Sequence, residues 1–207
     1  MIQGDWTTYL TSDIPVQQGY QFLVRIVAPR PIALVSTVSS DGAPNLAPFS
    51  FFMGGGANPP SVCFSVATPR SHGDKDTLAN IKSTGQYCIN VVTREITEKV
   101  NLTSAELAYG ESEWELSGLT KRQARLIQPC LVAESPLGME CKLYEIVKHG
   151  TGMASANYVI GEVVCFHIHD SVEANGTIDQ SLVDYVGRLG GDTYASTSGV
   201  RFEYERP

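Results

Sequence analysis

Arg30-Pro31-Ile32-Ala33-Leu34-Val35-Ser36-Thr37-Val38-Ser39-Ser40-Asp41-Gly42-Ala43-Pro44-Asn45-Leu46-Ala47-Pro48-Phe49-Ser50-Phe51-Phe52 is the stretch on which the fold turns. Pro31 to Ser39 is a β-branched and aliphatic run, which reads as a strand. Asp41-Gly42 supplies the positive φ angles of a tight hairpin turn. Asn45 to Phe52 then returns as the paired strand. Pro48 cannot donate to a ladder, so this return strand belongs at a sheet edge or is distorted there.

Downstream, Gly54-Gly55-Gly56-Ala57-Asn58-Pro59-Pro60 reads as a loop and Ser61 to Ala67 as a short apolar strand. After a polar connection from Thr68 to Gly73, residues 74–85 predict a helix. Asp74 or Asp76 is its cap, Leu78 and Ile81 share one face, and Gly85 is its stop. Gln86 to Val92 is a strand. Thr93 caps a second helix whose apolar stripe is Ile96, Val100 and Leu107, running to Ala108. Tyr109 to Arg125 reads as a surface excursion. Ile127 to Ser135, Met139 to His149 and Tyr158 to His169 read as strands, Asn175-Gly176 as a turn, and Arg188 to Tyr194 as a Gly-Gly loop. No repeat, low-complexity tract or long linker divides residues 1–207, so the expectation is one mainly β domain. Its architecture is a closed or partly closed antiparallel barrel with helices outside.

With 207 residues, 43% hydrophobic and 18% charged, the chain has a globular composition and can bury a core without a staple. Fifteen basic against 22 acidic residues give a net charge of −7. That argues against bulk attraction to nucleic acid or anionic lipid. No apolar run approaches the roughly 20 residues that span a bilayer, and Met1 to Trp6 lacks the pattern of a secretory signal. Cys63, Cys88, Cys130, Cys141 and Cys165 form no CxxC pair or Cys/His cluster, so they read as free thiols of a reducing cytoplasm.

The common catalytic patterns fail. There is no G-x-S-x-G elbow, no defensible Ser/His/Asp order, no P-loop and no dinucleotide fingerprint. His167 and His169, two apart on a strand, share a face, but no third ligand accompanies them. They read as a solvated or interface pair, and no metal is expected. His72 and His149 stand alone. Lys75-Asp76-Thr77 at a helix N-terminus brings together backbone N–H groups, the positive end of the dipole, a cation and a hydroxyl, which suit an anion. Taken alone it is equally an ordinary capped surface helix, and Ser36-Thr37 alone an ordinary strand choice.

Together these stretches resemble the flavin reductase-like, FMN-binding split-barrel family, which includes flavoredoxins. The resemblance rests on Arg30 to Thr37, Asp41-Gly42, Asn45 to Phe52, Lys75 to Ile81 and Asn90-Val91-Val92. It continues in Ile160-Gly161-Glu162-Val163-Val164 and Arg188 to Tyr194, covering residues 20 to 195. It implies a six-stranded antiparallel split barrel of Greek-key type, a homodimer, and FMN near the dimer interface. Carried over, Ser36, Thr37, Asn45, Ala47, Pro48, Phe49, Ser50 and Phe51 line the flavin. Lys75 and Thr77 meet its phosphate with Asp76 beside them, Arg70 adds charge, and Arg188 and Tyr194 close over the site. Two features depart from the family pattern: the glycine-rich 54–57 stretch and the 109–125 excursion.

The resemblance implies an FMN-dependent oxidoreductase. NADH or NADPH is the electron donor, and the small-molecule or protein acceptor is not identified by the sequence. The flavin carries the chemistry, so no catalytic side chain is expected. The alternative is a flavin-binding electron-transfer protein without its own nicotinamide reaction.

Overall fold

The computed structural model describes residues 4–69, 73–105, 107, 112–199 and 201–205. In chain order its elements are α1 (Val16–Ile26), β1 (Arg30–Pro31), β2 (Ala33–Val38), β3 (Pro44–Phe49), β4 (Phe52–Ala57) and β5 (Pro60–Ala67). There follow α2 (Asp76–Thr84), β6 (Gln86–Val91), a 3-10 turn (Arg94–Ile96), α3 (Thr97–Leu102) and α4 (Glu113–Ser117). The remainder comprises β7 (Lys121–Arg122), β8 (Leu131–Val132), β9 (Leu137–His149), β10 (Ala156–Ile168), β11 (Glu173–Ala174) and β12 (Thr177–Ile178), then a second 3-10 turn (Gln180–Leu182), β13 (Val186–Arg188) and β14 (Tyr194–Ser196).

Seven strands form the main sheet in the order β3-β2-β6-β9-β10-β5-β4, antiparallel throughout. Its two edge strands, β3 and β4, are joined through Ser50 and Phe51 alone. A linker that short forces the sheet to curl until its edges approach. Among the described residues no ladder closes the seam; the Ser65 amide, on the Phe51 carbonyl at 2.8 Å, extends the β4–β5 ladder into the linker. The result is an open barrel filled from both edges inward. Ala33, Val35, Phe49, Phe64, Tyr87, Ile89 and Val159 meet inside it, and Leu78 and Ile81 of α2 plug one opening. Phe49, Phe64 and Tyr87 stack in sequence, with centroids 5.1 and 5.5 Å apart.

Gly161 on β10 has a packing reason to lack a side chain. A Cβ there would overlap the Tyr87 hydroxyl and sit 2.8 Å from Tyr87 Cζ and 3.0 Å from the Lys142 carbonyl. Gly161→Ala should therefore lower stability by about 1–3 kcal/mol, the usual cost of overpacking a tight core. Urea unfolding checks this, and a variant of unchanged midpoint would show that the core yields.

Several expectations need correction. Gly54 to Ala57 is not a loop: it is most of β4, the strand beyond the expected six. Its glycines suit an edge where Gly56 N–H donates to Ser61 Oγ at 2.9 Å and a Cβ on Gly55 would crowd that oxygen at 2.6 Å. The 2–3 hairpin is wider than a two-residue turn, and only Gly42 takes a positive φ, of 90°. Neither Asp74 nor Asp76 caps α2. Lys75 holds the N-cap position without a side-chain bond, while Gly85 ends the helix left-handed at φ 67° as expected. Thr93 likewise makes no side-chain cap bond, and α3 ends at Leu102, short of Leu107; Ala108 lies outside the described residues. Helix α1, amphipathic but with only Val24 buried, was not anticipated.

The 109–125 excursion, where described, is a cover for the outer face. Trp114, Leu119 and Ala124 are buried there, with Trp114 and Leu119 packed beside Leu34, Leu46, Val92 and Val132. Expected strand 127–135 shrinks to Leu131–Val132 because side chains, not a ladder, hold this segment to the sheet. From β2, Ser36 donates its hydroxyl to the Cys130 carbonyl. From β6, Cys88 donates to the Pro129 carbonyl at 3.2 Å, and Gln86 and Asn90 accept the amides of Gln128 and Val132 at 3.0 and 2.8 Å. From β9, Glu140 accepts the amides of Arg125 and Leu126, both at 2.7 Å. Six backbone groups between Arg125 and Val132 are thereby satisfied by side chains of the sheet.

Candidate functional site

Adjacent residues of a strand face opposite sides, and this separates Ser36 from Thr37. Ser36 points outward to the Cys130 carbonyl, whereas Thr37 points to the α2 side of the sheet. There Asn45 Nδ2 donates to Thr37 Oγ1 at 3.2 Å and to Thr77 Oγ1 at 3.0 Å, and Asn80 Nδ2 donates to Thr37 Oγ1 at 3.0 Å. All four side chains are buried. The net ties the first turn of α2 to the β2–β3 hairpin. Each acceptor hydroxyl still has its own proton to donate.

Lys75 and Asp76 are exposed at the same helix end. Lys75 is extended (φ −64°, ψ 148°) and makes no side-chain cap bond, so among the described residues the first-turn amides of this nine-residue helix face outward with the cation beside them. The donor set fits a phosphate: first-turn amides, an ammonium, and a Thr77 hydroxyl oriented by Asn45. Arg70 lies outside the described residues.

Along β3, Asn45, Ala47 and Phe49 share the inner face, while Leu46 and Pro48 face outward. Ala47 stays half-buried, and Pro48 sits on an edge strand as its missing donor requires. Ser50 and Phe51, in the seam, meet Arg30. This arginine, 4% exposed, spends its guanidinium on neutral acceptors. It donates to the carbonyls of Val24, Val27 (2.9 Å) and Leu189 (2.9 Å) and to Ser50 Oγ (3.2 Å), and it lies 5.7 Å from the Phe51 ring centre. Burial lowers its pKa. Arg30 thus clips the C-terminal end of α1, the 188–191 loop and the barrel seam together. No local pattern around Arg30 signals this task, because one of its partners, Leu189, lies 159 residues away.

Arg188, opposite Arg30 in the β1–β13 register, turns instead to a cavity of about 550 Å³. Its guanidinium lies 4.4 Å above the Tyr194 ring and donates to the Gly191 carbonyl at 2.7 Å. Arg94, Thr97 and Asn101 line the far wall, and Tyr194 donates its hydroxyl to Asn101 at 3.1 Å. So the structure gathers Thr37, Asn45 and Thr77 in one net with Lys75 and Asp76 at its rim. It sets Ser50 and Phe51 with Arg30 at the seam, places Arg188 with Tyr194 at the cavity, and turns Ser36 and Pro48 to the other face.

His167 and His169 do not converge. The His169 ring meets Ser171 Oγ at 2.8 Å, while His167 Nε2 meets Glu140 Oε1 at 2.6 Å. Burial would raise the Glu140 pKa, but the Arg125 amide, His167 and the Leu126 amide outweigh it and hold the carboxyl below its ordinary range. Among the described residues all five cysteines are unpaired, and burial pushes the Cys141 thiol up to about 12, far from reactive.

The family model for the flavin reductase like domain matches residues 25–191 of the chain. Component B of a nitrilotriacetate monooxygenase from Bacillus cereus superposes with a TM-score of 0.92 at 29% identity, covering 98% of this chain and 100% of that one. The 2-nitrobenzoate 2-nitroreductase of Pseudomonas fluorescens gives 0.87 at 30% identity, over 97% and 96%. A split-barrel-domain protein of Shewanella frigidimarina gives 0.79 at 29% identity, over 97% and 100%.

Proposed function

This chain belongs to the flavin reductase like domain family, and from that premise we propose that it is an FMN-dependent oxidoreductase taking hydride from NADH or NADPH. The observation that carries the reading is the α2 N-terminus, where Lys75 makes no side-chain cap bond and Thr77 is oriented by Asn45. A terminal monophosphate matches that donor set, which favours FMN among flavins. The bound flavin would supply reversible two-electron chemistry. The protein's own part is to bind and orient. Lys75, the α2 amides and the Thr77 hydroxyl would hold the phosphate, and the Asn45–Phe51 stretch would flank the ring. Arg30 would keep the seam beside Ser50 and Phe51 rigid.

A second copy of the chain is part of the proposal. Val16, Tyr20, Leu23, Ile26 and Val27 leave α1 with a largely exposed apolar surface next to the seam, where Tyr20 meets Phe51 edge-on at 6.5 Å. Five unpaired thiols support a cytoplasmic setting, and no helix of the described residues is long and apolar enough to cross a membrane.

The test is an absorbance spectrum of the purified protein with FMN added, followed by anaerobic NADH or NADPH. Bleaching of the bound flavin by either nicotinamide is expected. Bands that persist would make the protein an electron carrier reduced by another protein, and failure to bind FMN at all would overturn the proposal.

A further inference from the structure

On the outer face, away from α2, three groups capable of different chemistry lie within 4.8 Å of one another: the Glu140 carboxylate, the Cys165 thiol and the His167 imidazole. A break in β9–β10 register between Val163 and Cys165 brings them together. Val163 packs inside the barrel, yet Cys165, two residues on, stands opposite Glu140 on the outside. His167 follows opposite Gly138, where a Cβ would collide with Leu131.

The fourth member decides what the cluster is. Arg122 of β7 faces His167 Nδ1 at 3.3 Å. A guanidinium has donors and no acceptor, so Nδ1 accepts and the ring proton sits on Nε2, aimed at Glu140. An ion at Nε2 would drive that proton onto Nδ1, directly against the guanidinium. The ring is a proton-bearing bridge, not a ligand. Protonation has a similar cost on one side only. The imidazolium keeps Glu140, its bond now an ion pair, but presents an N–H to Arg122 where it offered a lone pair.

We propose that His167 is a pH-operated latch on the 121–132 cover. Neutral, it ties Arg122 to Glu140; protonated, it keeps Glu140 and releases Arg122. The groups facing it are Arg122 from β7, Glu140 from β9 and Cys165 from its own strand. His169 and Asp170 line, with Arg122, a cavity of about 330 Å³ that gives a released guanidinium room. The latch has an unaffected internal reference. Arg125 and Leu126 are held by Glu140 through their amides and stay in place, while the β7–β8 pair loses one of its few ties to the sheet.

Long-range 1H–15N correlation of the labelled full chain tests the first half, and a neutral ring protonated at Nε2 is expected. Amide hydrogen exchange, expressed as protection against the intrinsic rate at each pH, tests the second. As the ring takes up its second proton, protection of the Ala133 amide, which closes the β7–β8 pair on the Thr120 carbonyl at 2.9 Å, should fall about tenfold, roughly the worth of one lost charge-assisted hydrogen bond. Arg125 and Leu126 should stay protected. Arg122→Ala should show the low protection at every pH, and His167→Gln should remove the pH dependence. A neutral ring protonated at Nδ1, or Ala133 protection that does not change while the ring titrates, overturns the latch.

Discussion

Glu140→Ala is expected to lower the thermal midpoint by roughly 10 °C. Glu140 is fully buried and serves three partners at once: two backbone amides of a segment without its own ladder and the His167 ring. Removing it leaves those donors without an acceptor, at about 1–3 kcal/mol for each buried group left unsatisfied, and each kcal/mol lowers the midpoint by about 2–4 °C in a domain of this size. The pH dependence has a definite sign. The folded carboxyl titrates below its ordinary range, so its stabilisation is present above the unfolded value of about 4.3 and is lost as the pH falls through the lower folded value. Glu140→Gln keeps one acceptor oxygen and the shape, so it should cost less and flatten the acid limb. Calorimetry at neutral pH and in the acid range would measure both. A Glu140→Ala midpoint within a degree or two of wild type would mean that the 122–132 cover adds nothing to stability.

Lys75→Glu is expected to weaken FMN binding at least tenfold while leaving riboflavin, which lacks the phosphate, unchanged. A charge-assisted hydrogen bond is worth about 1.5–3 kcal/mol, and 1.4 kcal/mol is a factor of ten. Reversing the sign beside the bound phosphate adds repulsion to that loss. Lys75 is exposed, so the fold should be indifferent to the change. Fluorescence titration with both flavins, repeated at raised salt, separates the outcomes. Equal losses for FMN and riboflavin would implicate the ring site, and no loss for either would move the phosphate away from α2.

Much of the fold is written in local pattern. The apolar run before Asp41-Gly42, the Pro48 that needs an edge, the Gly85 stop and the long β9 and β10 runs each obey rules that operate within about ten residues. The same patterning carried the resemblance to the family, and Lys75-Asp76-Thr77 marked the α2 N-terminus as a candidate anion site. Strand alternation alone was also enough to separate Ser36 from Thr37, although reading the two as one motif obscured it.

Other features have no local signal. Three glycines read as a loop, and they become β4 by pairing with β5, where Ser61 Oγ occupies the space a Gly55 side chain would need. A polar, unpatterned segment becomes a cover because Ser36, Cys88, Asn90 and Glu140, drawn from three strands, supply the acceptors and donors that its backbone lacks. Arg30 takes its role from carbonyls at Val24, Val27 and Leu189. Propensity and periodicity depend on neighbours along the chain, so they set which residues are strand or helix and which face is apolar. Whether a buried donor finds its acceptor depends on groups brought together only when the sheet curls, and that is where the Arg30 clip, the Asn45 net and the Arg122–His167–Glu140 bridge arise.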